Sequence, residues 1–397
     1  MNFGRQTKWM LAAMLLLTGC KGFWNVPNSG GCTSNCTTLS TGVFYVLNAN
    51  AGKYAIAGNS IVSGTLTTLS GSPYSLPSGP YSIAIAPNKS FLYVSTQTGI
   101  FLYSIGSGGA LTLTSATAFF SDFAAYTMQV DATNSWLVEA SGSGYLYAIP
   151  INPADGTRST TSSVQQLPLG VIPTIHQLAI SPDNKNIFLA MGTVGTAVIP
   201  FTAAPTTGGP LPLAVSTPIA VKASGGAAVS VAVDPINRLF YIGELLGSSA
   251  SVNTGGLRVF SYSSLASGTP VEITGSPFAS SGLTPVSILP IASGAYVYVA
   301  NSTVSSSTTG NVSGFAVSSS GSTYSVAPLS TTASAGTNPS AMAEDSTGTV
   351  VLLVNSGGSP DLNAFTFDAT TSGKLDSAFT SATGIDPVGA TAIAALP

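Results

Sequence analysis

The feature that most constrains this chain is a unit of short strands that recurs along it. Residues 80–118 show it whole. An apolar strand at 81–86 stops at Pro87-Asn88, and a β-branched and aromatic strand at 91–95 breaks at Gln97-Thr98-Gly99. A third strand follows at 100–105, then a glycine-rich turn at 106–109 and a short fourth strand at 111–114. No segment here has the length or the period of a helix.

The first strand recurs at 81–86, 125–130, 175–181, 229–234, 286–290, 340–343 and 388–395. The second recurs at 43–47, 91–95, 136–139, 187–190, 239–242, 296–300 and 350–354. A spacing of roughly 45 to 57 residues is the length of a propeller blade. The order of the two sets decides the architecture. The chain opens on a second-type strand and closes on a first-type strand with no successor. An open solenoid would need polar capping repeats. In a ring, the strand at 388–395 completes the blade that begins at Val43, and two exposed edges disappear. The expectation is an all-β, seven-bladed β-propeller over residues 41–397, closed by the C-terminal strand pairing with the N-terminal blade. Strands apolar on both faces, such as Phe91-Leu92-Tyr93-Val94, fit sheets packed between two neighbours. Stretches rich in Ser, Thr and Gly at 247–256 and 302–310 read as loop insertions.

Composition agrees. Only 6% of residues are charged while 44% are hydrophobic, so disorder is excluded and the surface must be covered by hydroxyls and amides. The 11 Lys and Arg make no basic stripe, so nucleic acid is not an expected partner. No cofactor is expected, and the chain is expected to act as a monomer.

At the amino terminus, Arg5 and Lys8 precede an apolar run at 9–17, too short to span a bilayer as a mature helix. It ends in Leu17-Thr18-Gly19-Cys20, which resembles the bacterial lipobox. That resemblance implies a signal peptide over residues 1–19, cleavage before Cys20, acylation there and residence in the cell envelope. An ordinary secretory signal is the alternative. Lys21, where a sorting-avoidance aspartate would sit, favours the outer membrane by the same resemblance. Residues 20–40 then form a lipidated flexible tether. Cys32 and Cys36 form either a small disulfide loop or two free thiols. Without further ligands close by they are a poor metal site.

The repeated pattern P-x-S-I-A-I-x-P, then FLYV, G-x-I-x-x-Y-x-I and G-x-L, resembles the lactonase-type seven-bladed propellers, relatives of bacterial 6-phosphogluconolactonase, and the YVTN-type surface propellers. The resemblance implies a site at the central channel built from histidine, arginine and acidic residues. Thr174-Ile175-His176-Gln177-Leu178-Ala179-Ile180-Ser181-Pro182-Asp183 keeps one family histidine, His176, and replaces the other with Thr174. The family's Asp-Leu-Gly is Ala190-Met191-Gly192, and its Gly-Pro-Arg-His is Ala227-Ala228-Val229-Ser230. Gly243-Glu244-Leu245 partly keeps an Asn-Glu-Leu segment.

Lactone hydrolysis needs a base, an oxyanion donor and, for a phosphorylated substrate, a cationic grip. His176 is the candidate base, with Glu244 orienting it across the channel. The competing reading makes His176 a hydrogen-bonded channel or blade residue and Glu244 a solvated loop acid. Val229 cannot hold phosphate, and Arg238 and Arg258 are expected to face solvent. The turn acids Asp131, Asp183, Asp234 and Asp345 read as caps of their own backbone. Tyr81, Tyr93, Tyr103 and Phe260 read as core. The functional expectation is a ligand- or partner-binding propeller with a degenerate lactonase site, and the alternative is a divergent lactone hydrolase.

Overall fold

The computed structural model describes residues 42–396 apart from 51, 63, 122–124, 171–172, 207, 237, 247–254, 304–308, 359 and 382–388. Cys20, Cys32 and Cys36 lie outside the described residues, as does most of both insertions. The described strands form seven separate antiparallel sheets. Blade two shows the plan, with strands Pro80–Ile85, Phe91–Thr96, Gly99–Ile105 and Leu111–Leu113 lying side by side in chain order. Blade one is assembled from both ends of the chain. Ala390–Ala395 pairs antiparallel with Val43–Asn48, setting Phe44 opposite Ala395 and Val46 opposite Ile393. The ring therefore closes as the order of the strands requires.

The core is divided among the blade interfaces. Seven clusters of buried side chains lie one to each joint, from Val43, Tyr45 and Leu92 between blades one and two to Phe44, Val46 and Leu352 between blades seven and one. A sheet buried on both faces has no polar face to present, which is why the second strands read as continuous apolar runs.

The inner strands are latched to one another by side chains. Met128 N–H donates to Ser82 Oγ at 3.2 Å, Leu178 N–H to Thr127 Oγ1 at 3.0 Å, Val231 N–H to Gln177 Oε1 at 3.2 Å and Met342 N–H to Ser287 Oγ at 3.1 Å. Ser230 Oγ donates to Pro285 O, and Ser340 Oγ to Ala390 O at 2.8 Å. Among the described residues, six of the seven joints carry such a latch.

A second device ties each of three blades to the outer turn of the next. Tyr45, Tyr93 and Tyr298 donate their hydroxyls to the carbonyls of Gly109, Gly156 and Gly373 at 2.6–2.7 Å. Gly156 has φ +73°, and a Cβ there would lie 2.7 Å from the Phe91 ring, so only glycine lets the turn settle on the strand below. Gly109 and Gly373 are the glycines of two G-x-L segments, Gly109-Ala110-Leu111 and Gly373-Lys374-Leu375.

Some details differ from the sequence reading. Among the described residues blade four has three strands, with one bridge between Thr196 and Ile219 in place of a fourth. Blade six carries a long hairpin, Thr309–Ser320 and Thr323–Thr337, whose first two residues are the last two of the 302–310 stretch that reads as a loop insertion. A 3-10 turn, Tyr262–Ser267, interrupts blade five. The turn acids behave as expected: Asp131 accepts from Ser135 N–H at 2.7 Å and Trp136 N–H at 2.6 Å, and Asp345 repeats the pattern with Thr349 and Val350.

Candidate functional site

In each blade the first strand enters from the same mouth of the ring. At that entrance the inner strands share an irregularity. The pairing register skips one residue at Tyr81, Tyr126, Val229, Val286, Ser340 and Thr391, a β-bulge in each case. In blade four His176 takes the same place, with its N–H donating to Ala190 O at 3.1 Å. Bulges re-aim a side chain away from the ladder. The seven aligned positions share this entrance, and none of the seven carries a carboxylate, an ammonium or a guanidinium.

His176 is exposed, and its imidazole makes no hydrogen bond to another described residue. Atoms crowded around it still desolvate the ring and lower its pKa, so the neutral form is favoured at neutral pH. Gly192, with φ +58°, lies beside it, and a Cβ there would sit 3.7 Å from His176 Nε2. Tyr126 is arranged in the same way over Gly142, whose Cβ would overlap its ring. Tyr81 and Tyr126 meet edge to face, with centroids 5.0 Å apart at 84°, and Tyr126 is 43% exposed. The expectation that Tyr81 belongs to the core is therefore corrected. It is half-buried at the mouth, because the bulge turns it out of the sheet, while Tyr93 in the flat part of the next strand is fully buried.

Glu244 is not where the sequence reading puts it. It is fully buried at the end of a second strand, its Oε1 accepting from Arg258 Nη1 at 2.6 Å and its Oε2 from the Lys222 N–H at 2.9 Å. Arg258 also donates to Ala220 O at 2.9 Å and to both oxygens of Glu272, at 3.2 and 3.0 Å. Burial acts to raise the Glu272 carboxyl, but hydrogen bonds from Arg258, Lys222 and Ser276 outweigh it and bring the pKa to about 2. At Arg258 burial acts to lower the pKa, but hydrogen bonds to Glu272 and Glu244 and the charges of the two carboxylates outweigh it and raise it. The solvent-facing expectation fails for Arg258, which is 5% exposed and lies over the Phe260 ring at 5.0 Å. It fails for Arg238 as well, which pairs with Asp234 at 2.8 Å and donates to Gly294 O in the next blade. A residue read as a solvated loop acid or a channel acid is instead a clamp.

The repeat explains why. Asn301 and Asn355 end the equivalent second strands and pin the segment arriving from the previous blade. Asn355 Oδ1 accepts from Gly336 N–H at 3.1 Å, and Asn301 Oδ1 accepts from Ser280 Oγ at 2.7 Å. Glu244 does the same for Lys222. No hydrogen bond joins it to His176.

One further buried polar group had no signature in the sequence. Both Glu139 oxygens are buried without a hydrogen-bond partner, and burial pushes that carboxyl up to about 8. Among the described residues, no group of three or more His, Cys, Asp or Glu side chains is placed to hold a metal ion.

The sequence model described as "Lactonase, 7-bladed beta-propeller" matches residues 62–389. The chain belongs to this lactonase family. The matched stretch omits Val43–Asn48 and Ala390–Ala395, the two strands whose pairing closes the ring. The periplasmic gluconolactonase PpgL of Pseudomonas aeruginosa is similar over 90% of this chain and 100% of its own, with 17% identity and a TM-score of 0.65. A candidate 6-phosphogluconolactonase from Bacteroides uniformis is similar over 89% and 99%, with 17% identity and a TM-score of 0.65. A protein from Lactobacillus plantarum covers 76% of this chain and 86% of its own, at 19% identity and a TM-score of 0.57. At such identities the likeness establishes the fold of this family member. No curated protein matches it at the sequence level.

Proposed function

We propose that this lactonase-family propeller is an envelope protein, anchored through Cys20, that binds an uncharged ring-shaped ligand at the mouth formed by Tyr81, Tyr126 and His176. The observation that carries the reading is the commitment of Glu244 to Arg258 and the Lys222 N–H, which leaves His176 with no carboxylate partner. A phosphorylated lactone brings a dianion, and the aligned mouth positions offer it no cation. The edge-to-face Tyr81–Tyr126 pair instead offers aromatic surface whose hydroxyls have no described protein partner.

Hydrolysis of an uncharged lactone is the second reading. It is favoured by one observation: an exposed imidazole held in its basic, neutral form. A lactone-hydrolysis assay on the full chain tests both. Little or no turnover of 6-phosphogluconolactone is expected, and robust turnover would defeat the proposal. Turnover of glucono-1,5-lactone that disappears in His176→Ala would favour the second reading over simple binding.

A further inference from the structure

The arginines of the folded part are used unequally. Arg238 and Arg258 are locked to carboxylates. Arg158 has no ion pair among the described residues, although the chain has only 11 Lys and Arg in all. It lies in the hairpin that joins the third and fourth strands of blade three, bridged by backbone to Ile151, with its guanidinium 6.0 Å from the Phe120 ring centroid. The nearby Asp155 does not neutralise it. That carboxylate is taken by the Thr157 N–H at 2.9 Å and the Thr157 hydroxyl at 2.6 Å.

Arg158 lines a groove of about 750 Å3 between this hairpin and blade four. The groove is fixed across the blade joint, because the Trp136 indole N–H donates to Ala203 O at 2.8 Å. Its wall holds the Asn152 amide and the hydroxyls of Thr157, Ser159 and Thr161, and no acidic side chain. Thr157 donates to Asp155 and Ser159 pairs with Thr161 at 2.7 Å, but these hydroxyls keep lone pairs to accept from a ligand. It opens where second strands begin and third strands end. His176 stands where first strands begin, so the two sites are on opposite faces of the ring.

We propose that this groove binds a carbohydrate that carries a carboxylate. The guanidinium supplies a planar pair of donors matched to a carboxylate. The surrounding hydroxyls and amide suit a ring bearing several hydroxyls, and the volume is that of a small-ligand site. A bare anion would use only the arginine and leave the remaining polar wall unmatched. This site is independent of the reaction or ligand at the opposite mouth.

Glucuronic acid is the probe, titrated by saturation-transfer NMR against the full chain in detergent, with methyl β-D-glucopyranoside and acetate as comparisons. Glucuronate should bind at least tenfold more tightly than either comparison, and more weakly as salt rises. Arg158→Ala should weaken it tenfold or more, Arg158→Lys by less, and His176→Ala not at all. Arg158 is exposed, so these variants should melt with the parent. Absence of glucuronate binding, binding indifferent to Arg158→Ala, or equal binding of acetate would each overturn the proposal.

Discussion

Arg258 Nη1 donates to Glu244 Oε1 across 2.6 Å in the joint between blades four and five. That joint has a small apolar cluster, built around Phe188, Phe240 and Phe260. The ion pair and its partners Glu272 and Lys222 extend it and hold down the segment that leaves blade four without a full fourth strand. Removing one partner of a buried pair strands the other charge. Arg258→Leu should therefore cost about 3–5 kcal/mol, read as a fall in the denaturant midpoint. Glu244→Gln should cost less, because the amide oxygen can still accept from Lys222. A midpoint unchanged in Arg258→Leu would show that the clamp is not structural.

Glu139 sets a pH dependence whose direction follows from its burial. Its carboxyl is pushed up to about 8 from an ordinary 4.5, and Glu344 to about 7, by burial against the opposing Ala292 N–H hydrogen bond. Between the ordinary and the raised values the folded chain holds more protons than the unfolded one. Stability should therefore fall as pH rises from about 4.5 towards 8, then level off. Glu139→Gln should flatten this slope in melting experiments across that range. A parent Tm that climbs from pH 5 to pH 8 would contradict the assignment.

The tyrosine–glycine clamp separates into two parts. Tyr93→Phe removes one buried hydrogen bond and should cost about 1 kcal/mol. Gly156→Ala should cost more, because it adds backbone strain at φ +73° to overlap with Phe91. Equal losses in chemical denaturation would mean that the contact with Phe91 relaxes freely.

Ring closure can be tested at the end of the chain. Deleting residues 390–397 removes the strand that pairs with Val43–Asn48 and leaves Phe44 and Val46 uncovered. Aggregation, or a large fall in Tm, is expected. A truncated chain that melts cooperatively at the parent temperature would show that blade one does not need the closing strand.

Anchoring is tested by Cys20→Ala. The proposed lipidation predicts that this variant leaves the membrane fraction for the soluble one. If it still pellets with membranes after a high-salt wash, another element holds it there.

The architecture was legible because each blade repeats the same two strands. The strand at 125–130 was placed to the residue, and the offset between the strand sets foretold the pairing of 390–395 with 43–48. The mouth was only partly legible. His176 was found through its likeness to a family segment, but the bulge that aligns it with Tyr81 and Tyr126 is a register shift, and a register shift leaves no mark in composition. Glu244 was misread because a motif match does not say which way a side chain faces. The readable signal was its place at the end of a second strand, in line with Asn301 and Asn355. The partners of Arg258 lie 14 residues away in two directions, a distance no local pattern bridges.

The bulges have one more consequence. In blades two to six the residue turned toward the mouth, such as Tyr126 or Val229, is followed at once by the one that latches the ring, such as Thr127 or Ser230. The proposed recognition and the observed assembly are thus written in adjacent letters. A lineage of such rings can exchange the first letter, blade by blade, and drift to new ligands while every latch stays shut.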